Sequence, residues 1–336
     1  MRRSSEFAEQ LRTVYRPPIW LVIVGVVALV VGLAAWIVSI VIGPGIDNWL
    51  WLVVWFLVFL GVSQGMLVWS ATLRVAQARW APAANRVGHS SIGMLPVLCA
   101  ILIVLLVGLK GYMPWTVVPV PGKEFYLNLP FMVVRDLIGL GILFILDFLM
   151  VRWTLAADAR ARRGEDVLRS EQFRLTAVGV AVIYTYVATA SIISVDFIMA
   201  FSPEWVSTMF PPYYWCTNVY AAMATVIVIA GLGRRLLGAG PYLGWGPFQD
   251  MGNLMLGFGF FCMGLFFAQY LTIWYENLPR ETGFLVVRYY KGLWPALAWP
   301  AFALEFAIPF LLLQSRRLKR TPRLLVPVAI LALIGF

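Results

Sequence analysis

Long unbroken stretches of apolar positions dominate the chain, separated by short polar segments rich in Arg, Gly and Pro. A helix that crosses the hydrocarbon core needs about 20 mostly apolar residues. Eight runs reach that length, centred on 19–43, 49–72, 90–109, 130–152, 174–200, 212–233, 248–275 and 293–314. A ninth begins near Leu324 and extends to Phe336. It is too short to cross alone, and is expected to be either re-entrant or part of a longer span. The pattern predicts an all-α integral membrane fold of two four-helix bundles plus a partial ninth helix. The expected divisions are a polar amino-terminal segment 1–18, a first bundle 19–155, a loop 156–173, a second bundle 174–315, and a basic loop with the incomplete ninth segment, 316–336.

Composition agrees with a bilayer as solvent. The chain is 61% hydrophobic and only 12% charged, with a mean hydropathy of +0.83, values that exclude an ordinary soluble domain. The first 18 residues are polar and contain arginine, and the apolar run after them is longer than a signal h-region, so no cleavable signal peptide is expected. Lys and Arg fall unevenly between alternate loops. Arg2, Arg3, Arg12 and Arg16, then Arg74, Arg79 and Arg86, then six Arg between 152 and 174, then Arg234 and Arg235, then the basic run 316–323 all lie on one side. The other side has Lys110, Lys123, Arg280, Arg288 and Lys291, and Arg135 lies within a span. The positive-inside rule therefore places the amino terminus in the cytoplasm. The net charge of +10 is read as topology, not as nucleic-acid binding.

Cysteine and histidine limit the chemistry. Cys99, Cys216 and Cys262 stand singly in three spans without CxxC spacing, which argues against iron-sulfur ligation and a disulfide framework. His89 is the single histidine, so one chain cannot supply a bis-histidine haem. No redox cofactor or metal is expected in this chain.

Charged groups within a bilayer are costly, and each raises a functional question. Asp136 and Asp147 share the fourth run; eleven residues are close to three turns, placing them on one helix face about 16 Å apart. They are candidate stations of a proton path, with hydrogen-bonded packing as the alternative. Arg135 needs a partner at similar depth, and Asp196 in the fifth run is expected to provide it as an ion pair. Asp250 and Asn253 lie one turn apart at the start of the seventh run, where Asp250 is either a proton-admitting group or a helix cap. In the same run Gly252, Gly257, Gly259, Gly264 and Ala268 are expected to allow close helix approach. Glu305 stands near the middle of the eighth run; Pro309 cannot donate to the Glu305 carbonyl, nor Pro300 to that of Ala296, so the ladder is broken beside a buried acid. His89, at the start of the third run, is expected at the interface. The segments "WTVVPVPGKEFYLNLP" and "FSPEWVSTMFPPYYW" are rich in Pro and aromatics, as interfacial docking faces are.

Several of these stretches carry a resemblance. Phe248 to Arg288, with "QDMGNLMLGFGFF" and "FAQYLTIWYENLPRETG", together with "SVDFIMAFSPEWVSTMFPPYYW", "YLNLPFMVVRD" and "PFLLLQSRRLKRTP", is similar to the NrfD-like membrane subunits of alternative complex III, a bacterial quinol:cytochrome c or acceptor oxidoreductase. The likeness covers the third to eighth runs and is strongest in the fifth to eighth. It implies two four-helix bundles plus two further helices in the bacterial cytoplasmic membrane, packed beside a second NrfD-like subunit and in contact with lipid. It also implies an extracytoplasmic iron-sulfur protein and haem c subunits as partners, with quinol or menaquinol oxidised near that surface. The membrane subunits would offer proton half-channels. The sequence supplies no His-plus-acid pair such as the quinol-oxidising sister subunit would have. The function expected is a membrane subunit of such a complex without a redox cofactor of its own. Rival readings are a quinone-binding membrane anchor of a molybdopterin and iron-sulfur oxidoreductase, a stand-alone proton-coupled transporter, and a structural scaffold.

Overall fold

A computed structural model describes residues 19–42, 45–78, 80, 82–165, 168–236 and 243–336. It is 85% helical, and the described residues contain no strand. Hydrocarbon offers the backbone no hydrogen-bond partners, so apolar runs of this length close their own ladders as helices. Among the described residues, seven segments are long and apolar enough to cross a membrane: 46–75, 84–112, 129–161, 169–201, 210–234, 245–276 and 295–312. They answer to the second through eighth predicted runs and make the chain a multi-pass membrane protein. The first run forms the 24-residue helix α1 (Ile19–Ile42). Where α1 meets α2 (Ile46–Val75), Asn48 Nδ2 donates to the Ser39 carbonyl at 3.0 Å and Trp36 meets Trp49 edge to face.

The third span is broken, for a reason written in its sequence. Helix α3 (Pro82–Ser90) passes through a 3-10 turn at Ser91–Met94 into α4 (Leu95–Tyr112). Pro96 has no N–H for the Ile92 carbonyl, and that carbonyl takes the Leu95 N–H instead. The break is stitched to α2 by reciprocal bonds: Ser63 Oγ donates to the Ser91 carbonyl and Ser91 Oγ to that of Ser63, at 3.2 and 3.0 Å.

Helix α5 (Leu129–Arg162) opens on an Asn128 cap that accepts from the Phe131 N–H, and α6 (Arg169–Phe197) returns beside it. The two helices extend into the expected 156–173 loop, leaving 163–168 as the connection. Charges on the adjoining helix ends are paired: Arg160 with Glu171, and Asp158 with Arg86 of α3. Then follow α7 (Phe210–Leu236), α8 (Trp245–Glu276) and the short α9 (Pro279–Tyr290). The eighth run divides into α10 (Pro295–Phe302), a π-helical turn at Ala303–Ala307 and α11 (Ile308–Leu312). Helices α12 (Arg316–Arg320) and α13 (Pro322–Gly335) complete the described residues.

Helix α7 lies at the centre, packed on α2, α6, α8 and α13. The tight α2–α7 crossing runs between the two sequence halves, and it rests on Gly61 and Gly65, a G-x-x-x-G pair that lets backbones approach. A Cβ at Gly65 would fall 2.6 Å from the Asn218 carbonyl oxygen, and one at Gly61 would collide with the Asn218 side chain. The ninth run is a 14-residue helix, about 21 Å long and so short of the bilayer core. Leu325, Val328, Ala329 and Ala332 bury its inner face against α7 and the π turn.

Candidate functional site

Helix α5 turns one face into the bundle, and Asp136, Leu140, Leu143 and Asp147 lie along it at helical spacing. All four side chains are buried; Asp136 is 1% and Asp147 0% exposed. None of the four carboxyl oxygens of Asp136 and Asp147 has a hydrogen-bond partner. An unpartnered buried carboxyl costs several kcal/mol or more unless it stays neutral.

At the end of this face nearer the α5 amino terminus, Arg135 binds Asp196 of α6 through two bonds. Nε donates to Oδ2 at 2.7 Å and Nη2 donates to Oδ1. The third guanidinium nitrogen donates to the Tyr126 carbonyl at 2.8 Å, and the guanidinium lies 3.8 Å above the Tyr126 ring. Asp196 is fully buried, so the pair joins the two halves of the sequence inside the protein. Asp136 and Tyr112 stand next to this cluster. Burial, and after it the Asp196 carboxylate, push the Tyr126 phenol above its usual range.

Between the two acids a cavity of about 10 Å³ opens among α2, α5, α6 and α7. Gln64, Tyr214 and Asn218 line it together with Leu140 and Leu143. Both amide atoms of Gln64, the Tyr214 hydroxyl and Asn218 Oδ1 are buried without a protein partner. Gln64 also lies next to Asp147 without closing a hydrogen bond of normal geometry. Asn218 stands between the hydroxyls of Tyr186 and Tyr214. A polar file therefore follows the inner face of α5, from the Arg135–Asp196 pair past Asp136 and the cavity to Asp147.

Glu305 lies apart from this cavity. It lies in the π turn, buried, with Oε1 unpartnered. Its carbonyl, deprived of a donor by Pro309, accepts the Tyr220 hydroxyl of α7 at 2.8 Å. The neighbours of Glu305 include Tyr213 and Cys262. Gly335 of α13 fits so closely over the turn that a Cβ there would lie 2.8 Å from the Ala301 carbonyl. Cys216 and Cys262, single residues on different helices, meet here as free thiols with sulfurs 3.0 Å apart.

The remaining candidates lie elsewhere. His89 is buried, with Nδ1 unpartnered and Arg86 and Arg74 nearby. Asp250 is half-buried. It is not a helix cap, since α8 starts at Trp245 with Gly244 in the cap position. Asn253 is exposed on the outer surface of the helix, away from the polar file. The polar residue tied down at this end is Gln249, whose Oε1 accepts Arg320 Nε at 2.6 Å. Lys319 lies along Gly252, 2.9 Å from the position of a Cβ, and burial, then Arg316, lower its ammonium from the usual range. Of the α8 glycines, Gly252 and Gly259 give close approach, whereas Gly257 and Gly264 have nothing within 4 Å.

Gln64, Tyr214, Asn218 and Tyr220 were not legible as functional from their types. The available signal was position: each is a polar group within an apolar run, as in "LGVSQGML" and "YYWCTNVYAA". No family model and no curated protein matches this sequence. The resemblance described above accordingly rests on the motifs alone.

Proposed function

We propose that this chain is a membrane subunit of a quinol-oxidising complex of the alternative complex III type, in which it provides a proton path and no electron carrier. The observation that carries the reading is the α5 face: two unpartnered buried carboxyls, Asp136 and Asp147, on either side of a polar cavity. Protons need groups that can gain and lose them without moving far, and carboxyls in a water-poor interior serve that need. The Arg135–Asp196 pair closes the file at one end as a structural or gating element. The motif resemblance supplies the redox setting: a second NrfD-like subunit, an extracytoplasmic iron-sulfur protein and haem c subunits, in a bacterial cytoplasmic membrane with the amino terminus inside. Quinol or menaquinol would be oxidised in the complex, and the two-bundle organisation belongs to the same reading.

The broken ladder at Glu305 favours one alternative, a proton-coupled transporter, because transporters place discontinuous helices at their binding sites. Isolation in mild detergent separates the two. The proposal predicts multihaem and iron-sulfur proteins that remain with the chain, and proton movement only during quinol oxidation. Proton-coupled transport by the purified chain alone in vesicles would overturn it.

A further inference from the structure

We propose that Gln64, Tyr214 and Asn218 hold one water molecule midway along α5, and that this water relays protons between Asp136 and Asp147. The inference rests on the proton-path reading and names its relay. Two helices, α2 and α7, contribute these three polar side chains to the same cavity, and both amide atoms of Gln64, the Tyr214 hydroxyl and Asn218 Oδ1 are buried without a protein partner. Buried polar groups are almost always satisfied, so an orphan set lining one cavity marks a missing small ligand with both donors and acceptors. The cavity volume of about 10 Å³ is that of a single water, which needs two to four polar partners. Gln64 brings an acceptor and two donors, Tyr214 a hydroxyl, and Asn218 an acceptor oxygen. A cation would find too few oxygens there, and an apolar guest would leave all three orphaned.

Position gives this water its role. Leu140 and Leu143 line the cavity, and each is four residues from one of the acids, an axial distance of about 6 Å. Gln64 reaches from the cavity towards Asp147, and Gly61 leaves the space that the Asn218 side chain occupies. The water takes a proton from one carboxyl on its oxygen and releases a different one towards the other carboxyl. After each passage it is unchanged, and one carboxyl has lost the proton the other has gained. Rotation of a carboxyl, or one further transient water, covers the rest of each step.

The test uses the assembled complex in vesicles, a short-chain quinol as electron donor and a pH dye to follow proton release. Gln64→Leu and Tyr214→Phe should each lower proton release per quinol at least tenfold while quinol oxidation without a proton gradient is kept. Both should also remove an infrared water band that shifts in ¹⁸O-labelled water. Tyr214→Phe deletes one oxygen and preserves packing, so its effect cannot be ascribed to misfolding. Wild-type proton release in both variants, with release abolished by Asp136→Asn, would overturn the relay and leave the path standing. Wild-type release in Asp136→Asn as well would overturn the path itself.

Discussion

Replacing Arg135 by Met isolates the buried ion pair with Asp196. The change removes the two bonds to Asp196, the bond to the Tyr126 carbonyl and the stacking on its ring. It leaves the fully buried Asp196 carboxylate next to Asp136 with no counter-charge. Breaking one partner of a buried pair costs about 3–5 kcal/mol, which corresponds to a fall of roughly 10 °C in the unfolding midpoint for a protein of moderate size. The double variant Arg135→Met/Asp196→Leu removes both charges together with the desolvation they require, and should return to within about 1–2 kcal/mol of wild type. The measurement is thermal unfolding of the purified protein in detergent, followed by tryptophan fluorescence, with the four proteins compared as a double-mutant cycle. If the single variants are as stable as wild type, or if the double variant is the least stable of the four, the two residues do not form the buried unit described here.

Two further outcomes follow from local geometry. Tyr220→Phe leaves the Glu305 carbonyl without its donor and should cost about 1–3 kcal/mol; adding Pro309→Ala restores a backbone N–H four residues on and should recover part of that loss, and equal stability of the single and double variants would refute the link. Gly65→Ala forces a Cβ against the Asn218 backbone and should destabilise by about 1–3 kcal/mol, whereas Gly264→Ala on an open helix face should stay within about 0.5 kcal/mol of wild type, both read by thermal unfolding.

Helix number and extent were legible because a bilayer imposes one length on apolar runs, and seven of the eight predicted runs coincide with membrane-length helices. The partnership of Arg135 and Asp196 could be reasoned from depth alone, since a buried guanidinium needs a carboxylate at its own level. Helix neighbours were less accessible. Lipid-facing and protein-facing positions are both apolar, so hydrophobic periodicity carries little information on which helices touch. Gly257 and Gly252 look alike in sequence, yet only Gly252 has a neighbour. The crossing of α2 on α7 rests on Gly61 and Gly65, and their partner Asn218 lies on a helix far away in sequence. The cavity could not be read for the same reason: Gln64 acquires meaning only when α2 is brought against Tyr214 and Asn218 of α7. The cap alternative for Asp250 failed because the start of its helix lies five residues earlier, at Trp245.

The central claim is that the two carboxyls on the inner face of α5 carry protons in a chain that carries no electrons. It is tested most directly by proton release per quinol oxidised in vesicles containing the complex with Asp147→Asn. The account predicts that quinol oxidation continues in the uncoupled complex while the proton yield falls at least tenfold. An unchanged proton yield in that variant, with the complex intact, would contradict it.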